Sequence, residues 1–348
     1  MQVLRIVGTL LCGCVAAFGA AGTVGAAGKP PSVPPTMRAA AIDKAGGPLT
    51  LHTLPVPKPG PDEMLIAVHT AGVGIWDTAL REHPEEIKHS KFPLVLGTDG
   101  AGTVVALGSG VKGFEVGDEV YSYSWDNPQG GFYAEYVAVP AGRVGHVPPG
   151  IGLTEAGAIA TTALTAIQGI DDALHVQRGE NLVILGASGG VGSLAVEFAK
   201  LRGARVLAIA SGDDGVDLVG RLGADGAVDG RQGDIRAASL AFAPGGVDAV
   251  LALAGGESLE HCLDALKQGG RVAFPTGVRP EPKARAGIRI IRYDAVPGAA
   301  EFERLNQAIE TMKFLVPIAA QYRLEDAAEA QRRVEAGHLL GKVILRIR

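Results

Sequence analysis

This chain of 348 residues is poor in cysteine, in aromatics and in runs of like charge. Only Cys12, Cys14 and Cys262 occur, and the first two lie in the N-terminal stretch, so the body carries a single thiol. One thiol can form neither an internal disulfide nor a multi-cysteine zinc site. Aromatics are 5% of the chain, against Gly 50 and Pro 21. That balance suits many strands and tight turns and argues against a helical bundle. Net charge is -5 and there is no basic tract, so nucleic acid is not an expected partner. The length is enough for two domains with cores of their own.

The N-terminal stretch is nearly free of charge. Arg5 is its one charged residue before Lys29, and Ile6 to Ala27 is rich in Leu, Val, Ala and Gly. Val24-Gly25-Ala26 has the small residues of a cleavage site, and a stiff Pro-rich linker follows. Three readings stay open: a secretory signal, a membrane anchor, or a start read too early, with Met37 as the true first residue. Location follows from that choice. It is cytoplasmic if translation starts at Met37 and secreted or membrane-tethered otherwise, with membrane contact only if the leader is retained. Residues 1–36 are therefore set aside from the fold.

From 37 to about 158, short β-rich runs such as Met64–Val68, Gly102–Ala106 and Tyr133–Val139 alternate with Gly and Pro turns, the pattern of a mostly antiparallel β unit. After Asn181 the rhythm becomes strand, helix, strand. Continuous apolar runs at 182–185, 206–210, 247–253, 271–274 and 288–291 read as strands covered on both faces. The alternation predicts an α/β fold with a doubly wound parallel sheet, its ligand outside the carboxyl ends of the strands. Residues 301–336 read as helical, with Gly337 as a stop and 342–345 as a last strand.

The stretch 182–200, LVILGASGGVGSLAVEFAK, carries most of the functional signal. An apolar strand enters a glycine-dense turn that opens a helix, placing backbone N–H groups and a helix N-terminus where a pyrophosphate can sit. Ala187 stands where G-x-G-x-x-G has its first glycine, and Gly189 and Gly192 take the second and third positions. Ala187, Ser188, Gly189, Gly190, Val191 and Gly192 are thus candidate cofactor residues.

Other segments fall in a consistent order: Leu96-Gly97-Thr98-Asp99-Gly100-Ala101-Gly102, Val116-Gly117-Asp118-Glu119-Val120, Ala134-Glu135-Tyr136-Val137, Leu222-Gly223-Ala224-Asp225 and Gly341-Lys342-Val343-Ile344-Leu345. With the glycine turn, they make the chain from Met37 onward resemble the medium-chain dehydrogenase/reductase superfamily, and most of all its zinc-independent quinone oxidoreductase (zeta-crystallin-like) branch. The resemblance implies a GroES-like β domain over 37–158, a Rossmann cofactor domain over 159–293, and a segment 294–348 that returns to the first domain. A homodimer is expected. Zinc-using members have His-Glu where this chain has Thr98-Asp99, and residues 37–261 contain no cysteine. No zinc or other metal is therefore expected, and His52, His69, His83, His89 and His146 are scattered.

What remains is hydride transfer from a nicotinamide to an acceptor that needs no strong Lewis acid. By resemblance, Thr165 would approach the nicotinamide. Ala254, Gly255, Thr276 and Gly277 follow predicted strands where ring and ribose would pass. At the end of the second Rossmann strand stands Ala210-Ser211-Gly212, with no carboxylate at the tip. That favours NADP(H) over NAD(H), with Ser211 as a donor to the 2′-phosphate, although Asp213 and Asp214 lie close and only Arg221 or Arg231 could offset them. The family's Gly-Val-Asn-x-x-Asp reads Gly72-Val73-Gly74-Ile75-Trp76-Asp77. Trp76, Tyr121 and Trp125 are candidate walls of an acceptor pocket, Asp77 a candidate cap for a helix at 78–81, and Tyr123 and His83 the candidate proton donors. Three functions follow: reduction of a quinone-like small molecule by NADPH, reduction of an activated alkene on the same fold, or nucleotide binding without turnover.

Overall fold

Short alternating runs between turns build the first half of the chain. The computed structural model describes residues 33–348, so the expected leader and linker at 1–36 lie, but for their last four residues, outside the described residues. Strands β1 (Thr36–Ile42), β2 (Thr50–Pro55) and β3 (Glu63–Val73) precede helix α1 (Ile75–Glu82), and β4 (Leu94–Val95), β5 (Asp99–Leu107), β6 (Glu119–Tyr123), β7 (Tyr136–Pro140) and β8 (Val144–His146) follow. β1 pairs antiparallel with β2 and β4. β3 is the spine of a second sheet. It pairs antiparallel with β5 and β7, and its buried Met64, Ile66 and Val68 help fill the core beneath.

Helix α2 (Leu153–Gln168) joins the halves. Every residue from Ala156 to Gln168 is buried, so the helix has no polar stripe and is covered all round. It packs on β3, β5 and β6 of the first half and on α3 of the second.

The second half reads β9 (Asn181–Leu185), α3 (Gly190–Leu201), β10 (Arg205–Ala210), α4 (Gly212–Arg221), β11 (Gly226–Asp229), α5 (Ile235–Phe242), β12 (Val247–Ala252), α6 (Glu257–Leu263), β13 (Leu266–Pro275) and β14 (Arg289–Tyr293). The six strands lie in the order β11-β10-β9-β12-β13-β14, all parallel. The chain leaves β9 toward β10 and β11, then jumps back to β12 on the other side of β9. That reversal opens a crevice at the carboxyl ends of β9 and β12. The α/β architecture, a β unit plus a doubly wound parallel sheet, is as the alternation predicts.

The C-terminal part differs from its expectation. Residues 301–336 are not helical throughout: α7 (Ala299–Glu310) and α8 (Ala327–Glu335) flank a strand, β15 (Ile318–Arg323). β15 runs parallel to β16 (Lys342–Arg346), which pairs antiparallel with β3, so the segment returns to the first sheet. Ile318, Ala320 and Tyr322 are paired edge residues. Their signal is lost between two Ala- and Glu-rich helices, and only the partner strand decides their state. Helix α1 also starts earlier than expected. Gly74 is its cap, and Asp77 sits one turn inside.

Candidate active site

The glycine turn is built from main chain. Gly186 and Ala187 both donate their N–H to the Ile209 carbonyl at 3.0 Å, tying the turn to β10. A Cβ at Gly192 would strike the Gly186 carbonyl oxygen and come within 2.7 Å of the Ala187 Cα, so only glycine lets α3 pack this close to its strand. Outward the turn is open. Gly189, Gly190 and Val191 are partly exposed, and a Cβ on Gly189 would meet nothing nearer than 3.5 Å. The first N–H groups of α3 have no partner within the helix and face an anion's position. From the far end of the chain, Gly341 donates to Ser188 O at 2.9 Å and pairs with Gly189, closing one side of the turn. Ser211, Ala254, Gly255, Thr276 and Gly277 follow β10, β12 and β13, so every expected cofactor residue stands at the carboxyl edge of the sheet. A cradle that needs glycine at 192 and stays open on its outer side fits a dinucleotide pyrophosphate.

At the tip of β10 the charges sort themselves. Asp229 accepts from Gly212 N at 2.9 Å and Arg231 N at 3.1 Å, and these bonds hold its carboxyl below the usual range. The Arg231 guanidinium lies over Gly212, whose φ is +77° and whose missing Cβ leaves the space it fills. Asp214 is turned aside. It accepts from Gly215 N at 2.8 Å and lies 3.2 Å from His338 Nε2. Arg221 is at the opposite end of α4 and does not reach the tip.

Beside the turn lies a group of buried polar side chains. Asp77, in α1, accepts from Gly74 N at 2.7 Å, Thr98 N at 3.0 Å and the Tyr133 hydroxyl at 3.2 Å. Burial first, then Asp99, push its carboxyl up to about 7, with Lys342 acting against the shift. Asp99 accepts from Thr161 N at 3.1 Å and lies 3.8 Å from Lys342 Nζ, and both side chains are nearly inaccessible. Lys342 Nζ sits 4.3 Å from the Trp76 ring centroid. Its stem passes the glycine turn, since a Cβ on Gly190 would lie 3.6 Å from Lys342 Cδ. Lys342 Nζ, Asp99 Oδ1 and Thr161 Oγ1 have no hydrogen-bond partner among the described residues. Trp76 donates its indole N–H to Thr98 Oγ1 at 2.7 Å. Its ring covers Gly74 so closely that a Cβ there would fall within 2.6 Å of Cδ2. Glycine at 74 and tryptophan at 76 are thus one interlocked choice.

The structure brings only some of the predicted acceptor-side residues together. Trp76 belongs to this group, and Tyr123 lies opposite Asp99 in the β5–β6 register. Burial, then Asp99, push the Tyr123 phenol up, so it stays protonated. Tyr121 is fully buried, donating to Asn306 Oδ1 at 2.7 Å with its ring on Phe302, and packs β6 against α7 instead of lining a pocket. Trp125 borders a cavity of about 10 Å³ with Leu80, Ile87 and Ser124, room for one water and no acceptor. His83 ends α1 in solvent beside Glu85, away from the buried group. Thr165 is buried in α2 and spends its hydroxyl proton on Thr161 O at 2.8 Å, as serine and threonine do inside helices. The sequence bears no mark that Asp77, Asp99, Tyr133 and Lys342 form one group. Asp99 and Lys342 stood in the family segments, but nothing local joins them.

The donor set here does not suit a tetrahedral zinc. Thr98 Oγ1 takes the indole N–H, the neighbouring ligand types are carboxylates and a lysine, and no group of three or more metal-binding side chains occurs among the described residues.

Comparison with known proteins agrees with the fold and with a nicotinamide cofactor. The family described as "Alcohol dehydrogenase GroES-like domain" matches residues 60–149, and the one described as "Zinc-binding dehydrogenase" matches 222–345. A quinone oxidoreductase of Mus musculus is 29% identical over 89% of this chain and 97% of its own. A solved NAD-dependent alcohol dehydrogenase is 30% identical with a TM-score of 0.81, covering 90% of this chain and 100% of its own. A mycobacterial protein solved with NADPH is 27% identical with a TM-score of 0.78, covering 89% and 100%.

Proposed function

The chain belongs to the medium-chain dehydrogenase/reductase superfamily, quinone oxidoreductase-like, and from that premise we propose that it passes hydride from NADPH to a quinone-like acceptor without zinc. The observation that carries the oxidoreductase reading is the glycine cradle at 186–192, open outward beside the buried Trp76–Lys342 group. The nicotinamide, when bound, supplies the hydride. The protein's own residues bind and orient. The N–H groups at the start of α3 and Gly192 hold the pyrophosphate close, while Ala254, Gly255, Thr276 and Gly277 border the path along the sheet edge.

Arg231 supports NADPH over NADH. Its guanidinium stands at the β10 tip, Asp229 is occupied by N–H donors, and Asp214 faces His338. A 2′-phosphate there meets a cation and the Ser211 hydroxyl, while of the nearby carboxylates Asp229 and Asp214 are engaged and Asp213 stands exposed. The ligand types around Thr98 and Asp99 support the zinc-free reading, because a quinone accepts hydride without a metal to polarise it. Tyr123 favours a second reading, an enone reductase, because it stands at the strand position opposite Asp99, where its hydroxyl can give a proton across a double bond.

Stopped-flow oxidation of NADPH and NADH with benzoquinone and with an enone tests both. The expected result is quinone reduction with an NADPH preference of about tenfold or more, lost in Arg231→Ala. Enone turnover without quinone turnover would replace the first reading by the second. Binding of NADPH with no oxidation by either acceptor would leave nucleotide binding alone.

A further inference from the structure

A second pocket lies on the outer side of α3, away from the glycine turn. It has a volume of about 410 Å³ and is lined by Glu197, Lys200 and Leu201 of α3 and its end, Arg221 and Leu222 at the end of α4, and Met312, Lys313 and Leu315 after α7. Its apolar wall is Leu201, Leu222, Met312 and Leu315. The segment after α7 is held against α3 by the Leu315 N–H, which donates to Glu197 Oε1 at 2.9 Å, and by Phe314, whose ring lies 5.4 Å from Phe198.

Glu197 is unusual in this wall. It is 3% exposed, and its Oε2 has no hydrogen-bond partner among the described residues. A buried, unsatisfied carboxyl oxygen costs stability unless something completes it. Burial pushes this carboxyl up to about 8, so at neutral pH it is an acid with a proton to donate. The cations differ in availability. Lys200 is taken by Asp225 at 2.6 Å and Ala204 O at 2.9 Å. Arg221 and Lys313 are exposed and make no hydrogen bond or ion pair among the described residues.

We propose that this pocket is a ligand site for a small amphiphilic carboxylate with an oxygen acceptor at its far end. The carboxylate lies at the rim with Arg221 and Lys313, the apolar body along Leu201, Leu222, Met312 and Leu315, and the acceptor oxygen on Glu197 Oε2. A pocket of this volume suits a ligand of one ring or a short acyl chain. Nothing in the proposal depends on hydride chemistry.

Calorimetric titration of the full chain with 4-acetylbenzoate and 4-isopropylbenzoate tests it, because the two share a shape and differ in one acceptor oxygen. The acetyl compound is expected to bind about tenfold more tightly, the worth of one buried hydrogen bond. Glu197→Gln, which keeps a donor, should preserve the ratio, and Glu197→Leu should bring it to about 1. Replacing Arg221 and Lys313 by Ala together should weaken both probes about fivefold. Saturating NADPH should leave both constants unchanged. No binding of either probe, equal binding of the two by the unaltered protein, or displacement by NADPH would each overturn the proposal.

Discussion

The glycine turn and the buried group behind it are neighbours, yet they are made in opposite ways. The turn at 186–192 is backbone, contiguous, and free of charged side chains. The group around Asp99 is side chain, drawn from α1, the start of β5, the loop before β7, α2 and β16, and it keeps two carboxyls and an ammonium out of water. A backbone site is specified where it stands and is limited by what cannot be added to it. A side-chain site is specified by topology and is limited by what cannot be taken away.

The comparison is broken most forcefully at Lys342. Removing one member of a buried pair leaves the other charge uncompensated, at a cost of about 3–5 kcal/mol. Lys342→Met should therefore lower the unfolding free energy in urea by about that amount, and adding Asp99→Asn should recover more than half of it. A loss below about 1 kcal/mol would mean that water reaches the pair and that topology is not what holds the group together.

In the turn, addition does the damage. Gly192→Val should raise the Kd for NADPH about 100-fold, because the side chain must push α3 off its strand. Gly189→Ala is the contrast. Its Cβ would find ordinary contact at 3.5 Å within the protein, so stability should hold, while the methyl enters the open side where the pyrophosphate lies and weakens NADPH binding about tenfold. Similar losses of unfolding free energy from both, measured in urea without cofactor, would show that the turn tolerates side chains no better inward than outward.

The same contrast explains what could be read from the sequence. Strand, turn and helix at 182–200 announce themselves, since apolar run, glycines and helix follow one another along seven to nineteen residues. The parallel sheet was legible for the same reason. β15 was not, because a half-buried strand between Ala- and Glu-rich helices takes its identity from β16, twenty-odd residues later. Asp77 read as a helix cap, and it does accept the Gly74 N–H, but nothing nearby announces that Thr98 N and Tyr133 would join it. Tyr121 read as a pocket wall because an aromatic beside a loop carries no mark of its burial under Phe302. Arg231 could be weighed but not placed, because the sequence does not show which side of Gly212 is open.

Gly74 and Trp76 show both rules at one point. The backbone at Gly74 has φ -118° and ψ 161°, which any residue adopts, so the nearest obstacle to a side chain is the indole. Gly74→Ala should cost about 2 kcal/mol by overpacking, and the cost should vanish in a Trp76→Ala background. A double-mutant cycle with no coupling energy would separate the two positions and leave Gly74 without a structural reason.

The smallest effect is a pH dependence that the turn, having no titratable side chain, cannot produce. The Asp77 carboxyl rises from an ordinary 3.8 to about 7, through burial first and Asp99 second. A raised carboxyl binds its proton more tightly when folded, so its contribution to stability is complete below about pH 4. It is lost as pH climbs toward 7, and the loss stops above that. The slope within the window is at most about 1.4 kcal/mol per pH unit for one group. Glu135 and Asp225 behave oppositely, since their partners lower them and their contributions are lost only as pH falls through the acid range. Glu197, raised from 4.5 to about 8, adds to the same downward slope. Between pH 5 and 7, Asp77→Asn should therefore remove about 1 kcal/mol per unit from the fall in unfolding free energy, while Glu197→Gln removes a separate share. Parallel stability curves for the unaltered chain and Asp77→Asn would mean that Lys342 already keeps Asp77 ionised when folded. The buried group would then hold two carboxylates against one ammonium, and its charge balance would have to come from solvent or from a bound ligand.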